Sequence, residues 1–266
     1  MESNQETVLP VRPAAPYLGG KRRLAAAIIE RLGAIPHECY VEPFIGMGGV
    51  FLKRPFKPRA EVINDISRDV AILFRVLQRH YNALMDMLRW QLTSRVEFER
   101  LKVANPDTLT DLERAARFLY LQRTSFGGKV SGRNFGTSTT AGGRFDVTTL
   151  GSTLEDIHQR LAGVVIECLP FGALITKYDR AHTLFYLDPP YWDCETDYGE
   201  GVFDKGDFVA LAKQLAGISG RFVLSLNDRP EVRQIFKRFS IERVQTGYSV
   251  NGKHQKAVYE LLITGP

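Results

Sequence analysis

Hydrophobic positions along this chain alternate between two periods. Short apolar runs at Cys39–Glu42, Ala60–Asn64, residues 164–169, Thr183–Leu187 and residues 221–226 read as strands, with two later ones near 241–248 and 257–263. Between them lie apolar residues at helical spacing: residues 21–32, with Leu24, Ala27, Ile28 and Leu32 on one side and a stop at Gly33, then 154–161, 207–216 and 231–237. Strands alternating with helices predict an α/β sheet covered on its faces. The alternation breaks at about Asp69. Residues 69–103 are helical in pattern (Val70, Leu73, Phe74, Leu77), and a second helix is expected from Asp111 to about Arg123. A stretch rich in glycine, serine and threonine follows at 125–143, and a loop of that length inside a compact domain is usually functional or mobile. The pattern therefore predicts a scaffold at 17–74 and 155–266, a mainly helical insertion at 75–154, and a flexible lead-in at 1–16, where Pro10, Pro13 and Pro16 leave little periodicity.

Composition narrows the partners. Of the 266 residues, 44% are hydrophobic and 24% charged, an ordinary globular balance, and a net charge of +5 favours an anionic partner. The first residues are polar and acidic, unlike a signal peptide, and no apolar run approaches the roughly 20 residues of a membrane span. Cys39, Cys168 and Cys194 are scattered without CxxC spacing, which fits a reducing cytoplasm and predicts no structural metal.

Asp188-Pro189-Pro190-Tyr191 directly follows the apolar run 183–187. Prolines cannot donate to a ladder, and they stiffen the backbone as it leaves a sheet. The expected result is a carboxylate, a fixed carbonyl and an aromatic face at the carboxyl end of a strand, where open α/β sheets bind ligands. Those groups suit a planar exocyclic amine: Asp188 and a proline carbonyl accept its hydrogens, and Tyr191 stacks on its ring. The assignment requires Asp188 to lie beside the glycine turn Phe44-Ile-Gly46-Met-Gly48, not tied to a cation remote from it. That turn follows a strand and precedes helical spacing, so it reads either as a cofactor approach or as a plain helix start. Asp65 ends the next strand and reads either as a ribose grip or as a turn cap. Without a GxxxxGK[ST] lysine, a nucleoside cofactor fits better than ATP. Tyr17-Leu-Gly-Gly-Lys21 precedes the first helix, where Lys21 can reach a carboxylate or phosphate and Tyr17 or Phe44 can lie against a sulfonium.

In order, Tyr17–Lys21, Glu42-Pro-Phe-Ile-Gly-Met-Gly48, Asn64-Asp65-Ile66, an insertion and Asp188-Pro-Pro-Tyr191 resemble the Dam-type (D12 class) DNA adenine-N6 methyltransferases, over about residues 16–75 and 155–264. The resemblance implies a Rossmann-like, seven-stranded, mainly parallel methyltransferase sheet with an inserted target-recognition domain, S-adenosylmethionine as cofactor, and transfer to N6 of adenine in double-stranded DNA by a monomeric cytoplasmic enzyme. Carried over by position, Tyr17 and Lys21 would contact cofactor or target, and Glu42 would hold the methionine amino group. Phe44, Gly46 and Gly48 would shape the cofactor's bed, Asp65 its ribose contact and Ile66 its adenine contact. Asp188, Pro189 and Tyr191 would form the catalytic pocket. Residues 257–264 resemble the closing antiparallel strand, and Ser225-Leu-Asn227 the Ser-Asn pair after the fifth strand. Two departures stand out. Leu169-Pro170-Phe171 replaces the acid expected before the aromatic, which leaves adenine recognition to Phe171, Ile66 and backbone groups. Within the insertion, Arg123-Thr-Ser125-Phe126 fits, but the elements that follow do not, so GATC recognition is not implied.

From Arg114 to Arg144 there are six basic residues and no acid, with Phe126, Phe135 and Phe145 interleaved. Basic groups neutralise phosphates and aromatics stack on unpaired bases. Arg123, Ser125, Lys129, Arg133, Asn134 and Arg144 are the expected DNA contacts, with Arg133 and Asn134 as base readers; the competing reading is a solvated surface. The segment 192–201 is expected to be a mobile lip over the base. Alternatives at this stage are cytosine-N4 or RNA amine methylation, and a catalytically silent DNA-binding relic of the scaffold.

Overall fold

The computed structural model describes residues 6–21, 24–140, 142–199, 201–250 and 254–265. Seven strands form one sheet: β1 (Cys39–Glu42), β2 (Ala60–Asn64), β3 (Val165–Glu167), β4 (Thr183–Leu187), β5 (Arg221–Asn227), β6 (Ser240–Val250) and β7 (His254–Gly265). Their order is β3-β2-β1-β4-β5-β7-β6. Pairing is parallel from β3 through β5, and β7 runs antiparallel to both β5 and β6. The order reverses between β1 and β4, so the ligand crevice of an open α/β sheet is expected at the carboxyl ends of those two strands.

Strand alternation explains why both faces are covered. Tyr40, Ile63, Leu184 and Tyr186 point to one face, where they pack with α1 (Ala25–Gly33), α2 (Arg68–Arg79) and α6 (Val147–Arg160). Val41, Val62, Phe185 and Leu187 point to the other, against α7 (Phe171–Tyr178), α8 (Lys205–Leu215) and α9 (Pro230–Ile235). The insertion contributes α3 (Tyr81–Leu88), α4 (Arg95–Val103) and α5 (Asp111–Thr124). A capping box starts α5: Thr110 Oγ1 accepts from Glu113 N–H, and Glu113 Oε2 accepts from Thr110 N–H; such a cap is worth about 1 kcal/mol. Leu84, Leu88, Phe98, Phe118 and Leu119 join the same buried cluster as Tyr40 and Tyr186, so the insertion shares its core with the sheet.

Three expectations are corrected. The lead-in, expected to be flexible, is pinned over its described part: Val11, Ala14 and Ala15 are buried, Glu6–Thr7 pairs with Phe56–Lys57, and Val11 N–H donates to Leu52 O. Small apolar residues between the prolines make that packing possible. The helix expected after the glycine turn is one 3-10 turn, Phe51–Lys53, before Pro55, which has no N–H to continue it. Helix α7 appears directly after Pro170, where no helix was expected; only two of its residues, Leu174 and Ile175, are buried, too short a pattern to read as a period.

Candidate active site

Asp188 leaves β4 at the reversal point, where its carboxylate is one-fifth exposed. Two side chains hold it. Ser225 Oγ, from β5, donates to Asp188 Oδ1 at 3.1 Å, and Ser225 also lies 3.0 Å from Tyr186 Oη. Lys21 Nζ lies 2.6 Å from Asp188 Oδ1, donates to Tyr191 Oη at 2.5 Å and stands 3.5 Å from Glu260 Oε2 on β7. Asp188 is thus paired with a cation, but not a remote one: a Cβ placed on Gly49 of the glycine turn would stand 3.6 Å from Lys21's backbone nitrogen. Burial raises the Asp188 pKa, against the opposing pull of the Lys21 ammonium. Pro189 and Pro190 are buried, and the chain after them is clamped by Asn227, which accepts from Trp192 N–H and donates to Trp192 O, both at 3.0 Å. Beyond the clamp, Asp193 takes a positive φ of 67°. The Ser225-Leu-Asn227 pair therefore fixes both ends of the Asp188–Tyr191 turn.

On the β1 side, Glu42 is buried and accepts from Tyr40 Oη at 2.6 Å, a pairing that strand alternation places on one face. Burial pushes its carboxyl up to about 8, with the Asp188 charge adding to the effect. In the glycine turn, Gly46 has φ 50° and Gly48 φ 74°. A Cβ on Gly46 would stand 3.0 Å from the Tyr17 ring, and one on Gly48 would stand 2.9 Å from Leu52 Cγ, so both strain and crowding demand glycine. Asp65 accepts from Gly46 N–H at 3.0 Å and Ser67 N–H at 2.9 Å. These bonds oppose the burial that pushes it up to about 6. The capping reading of Asp65 is thus realised, and a carboxylate with about four lone-pair sites keeps capacity for a further donor.

Asn64 was not expected to do more than turn the chain. Its Nδ2 donates to Pro43 O and Leu169 O, and its Oδ1 accepts from Leu169 N–H, which ties the glycine turn to the segment before α7. That tie brings the Phe44 and Phe171 rings to 5.7 Å, and Phe203 closes a trio at 5.9 Å from each. Ile66 is 42% exposed at the end of β2. The sequence signal for Phe203 was absent, since it stands alone between α8 and the lip.

Tyr198, in the segment expected to form a lip, rests on the turn before α1. Tyr198 Oη donates to Leu18 O at 2.9 Å, and its ring lies 5.8 Å from that of Tyr17. A cavity of about 250 Å³ opens between this lip and the glycine-rich loop, lined by Leu18, Lys129, Ser131, Gly132, Thr196 and Asp197. A larger one of about 460 Å³, lined by Arg68, Arg75, Glu167 and Cys168, lies at the outer sheet edge, three strands from β4.

The basic residues of the insertion divide. Arg114 is paired with Asp69 and Asp107, and Arg117 donates to Leu101 O and Lys102 O. Arg123 donates to Ala14 O and Arg144 O, and buried Ser125 donates to Leu121 O. Arg133 bonds Gln122 Oε1 and Lys129 O, and burial lowers its pKa. Arg144 donates to Ser125 O with its guanidinium 5.8 Å from the Phe126 ring. Lys129 and Asn134 are exposed on the loop, as is Phe126. A helix presents charge on every side, and sequence period alone does not say which carbonyls a long side chain will find.

Among the described residues, no cluster of three or more potential metal ligands occurs and no helix is long and apolar enough to cross a membrane.

Residues 17–250 match the family described as D12 class N6 adenine-specific DNA methyltransferase. The Type II methyltransferase M.MjaIII of Methanocaldococcus jannaschii is 26% identical over 96% of this chain and 99% of its own. The Type II methyltransferase M.CviBI of Paramecium bursaria Chlorella virus NC1A is 22% identical over 83% of this chain and 90% of its own. The DNA adenine methylase of Escherichia coli K12 is 24% identical over 92% of each chain.

Proposed function

We propose that this chain, which belongs to the D12 class N6 adenine-specific DNA methyltransferase family, methylates N6 of adenine in double-stranded DNA with S-adenosylmethionine as the donor. S-adenosylmethionine supplies an electrophilic methyl group on a sulfonium. The residues of the cleft fit such a group. Gly46 and Gly48 allow close backbone approach, Glu42 offers a buried carboxylate for an ammonium, Asp65 retains acceptor capacity for hydroxyls, and Phe44, Phe171 and Ile66 form an apolar wall for a flat base.

The target adenine has to leave the helical stack before its amine can be reached, at a cost of about a few kcal/mol. Tyr191 replaces the lost stacking. The Asp188 carboxylate and the Pro189 carbonyl accept the amine hydrogens, which localises the nitrogen lone pair and stabilises the positive charge that develops there. Positioning supplies much of the rate, because the nitrogen must attack in line. The exposed residues Lys129, Asn134 and Phe126 are the proposed contacts to phosphate and base, and Arg144 and Arg133 shape the loop that carries them.

One observation carries the reading: Asp188 stands at the strand-order reversal, fastened by Ser225, in the same cleft as the glycine turn and Glu42. Digesting treated duplex DNA to nucleosides tests it. N6-methyladenine is the expected product; N4-methylcytosine alone, or methylation confined to RNA, rejects it.

A further inference from the structure

Glu260 is an acid in the otherwise apolar run of β7, opposite Asn227 of β5, and is 4% exposed. A buried carboxylate is costly unless it is paired and hydrogen-bonded. Its Oε2 is shut off from solvent without a hydrogen bond, although the Lys21 ammonium stands only 3.5 Å away. Lys21, itself buried, gives its short contacts to Asp188 Oδ1 and Tyr191 Oη instead. Among the described residues, two carboxylates thus face one cation, and the nearer of them is the one the target amine needs.

The Lys21 ammonium is an N–H donor at hydrogen-bond distance from Asp188 Oδ1, the role proposed above for the exocyclic amine of adenine. Ser225 already donates to the same oxygen. With Ser225 and Lys21 both on Oδ1, an entering amine has only Oδ2 to bond until Lys21 withdraws. The place for the cation to go is already built. Glu260 Oε2 lacks a donor, and a shift of under about 1 Å by a flexible four-carbon side chain turns 3.5 Å into an ordinary charge-assisted bond of about 2.8 Å.

We propose that Glu260 is a positioning residue that draws Lys21 off Asp188 as the target amine enters, so that Lys21 alternates between the two carboxylates. The proposal rests on the adenine-methylation reading. It gives the unpartnered oxygen a task, keeps the buried cation paired in both positions and frees Asp188 only when another donor replaces Lys21.

Glu260→Gln keeps the volume and removes the charge. Steady-state methylation at saturating cofactor and varied duplex concentration, measured with and without Lys21→Met, separates the possibilities. The expected result is a loss of about tenfold or more in kcat for Glu260→Gln with KM for DNA within about twofold, shrinking to under about twofold in the Lys21→Met background. An unchanged kcat, or the same loss in both backgrounds, overturns the proposal. The unaltered protein supplies a test independent of variant folding: in a crystal with target duplex and S-adenosylhomocysteine, Lys21 Nζ should lie closer to Glu260 than to Asp188. Lys21 still on Asp188 with adenine in the cleft overturns it. Failure of the unaltered enzyme to methylate adenine at all would instead remove the functional reading beneath it.

Discussion

The cleft at the end of β4 and the glycine-rich crown of the insertion were both read from charged residues near aromatics, yet they treat those residues in opposite ways. In the cleft, Asp188, Lys21, Tyr191 and Glu42 meet or face one another across strands. In the crown, Arg123 and Arg133 spend their donors on the protein's own carbonyls and on Gln122, while Lys129 and Asn134 remain outside. The difference is one of support. A strand end is fixed by its ladder, so a residue one step past it has few directions to take. A long basic side chain on a helix or loop settles on whichever acceptor it reaches, and Arg123 and Arg133 reached the protein's own acceptors first.

Substitutions can break or sharpen that contrast. The largest effect is expected for Asp188→Ala: methyl transfer should fall by about 10²–10³-fold or more while cofactor and duplex affinity largely persist. Single-turnover assays beside equilibrium binding decide it, and retained turnover would cancel the role given to the cleft.

Next in size is a dependence on pH. Glu42 holds its proton to about 8 in the folded protein, against an ordinary value of 4.5. If it receives the cofactor's ammonium, affinity for S-adenosylmethionine should rise up to about tenfold per unit between pH 6 and 7 and level off above 8. The same group makes a stability contribution of the opposite sense. Its effect is fully present below 4.5, where both states are protonated, and is lost as pH rises through 8, because the unfolded chain gives up its proton first. Glu42→Gln should flatten both curves; titration calorimetry and thermal melts across this range report them.

Within the crown, Arg123→Ala should cost about 1–3 kcal/mol of stability, because it frees the carbonyls of Ala14 and Arg144 that it now satisfies. A lower Tm with an unchanged salt dependence of DNA binding is the expected pair of results. The smallest effect belongs to Lys129→Ala: the same Tm, with the slope of log K against log salt reduced by about 0.9 if Lys129 neutralises one phosphate. Should the two variants exchange these signatures, the division between inner and outer basic residues would be wrong.

The sequence made the strands and the turn chemistry legible because both are local. Thr183–Leu187 is a mostly apolar run, Asp188–Tyr191 carries its own stiffness, and the glycines sit where positive φ is required. Partnerships set by tertiary contact were not legible. Nothing near Asn64 announces that it will bridge Pro43 to Leu169, 105 positions on. The proline-rich start resembled a loose tail because Val11, Ala14 and Ala15 are too few to form a period, yet they find a core. Glu260 offered a signal that went unused: an acid inside a strand otherwise fit for burial.

The insertion's helices and the sheet draw on one hydrophobic interior, from Tyr40 and Tyr186 through Phe98 and Phe118. The insertion therefore cannot be exchanged as a cassette. A graft of the whole segment from a relative would bring a mismatched half of the interior and unfold the enzyme with it. If the exposed loop reads the DNA, as proposed, retargeting has to be done at the rim, by rewriting the residues between Phe126 and Gly143 while the helical pedestal beneath them stays as it is.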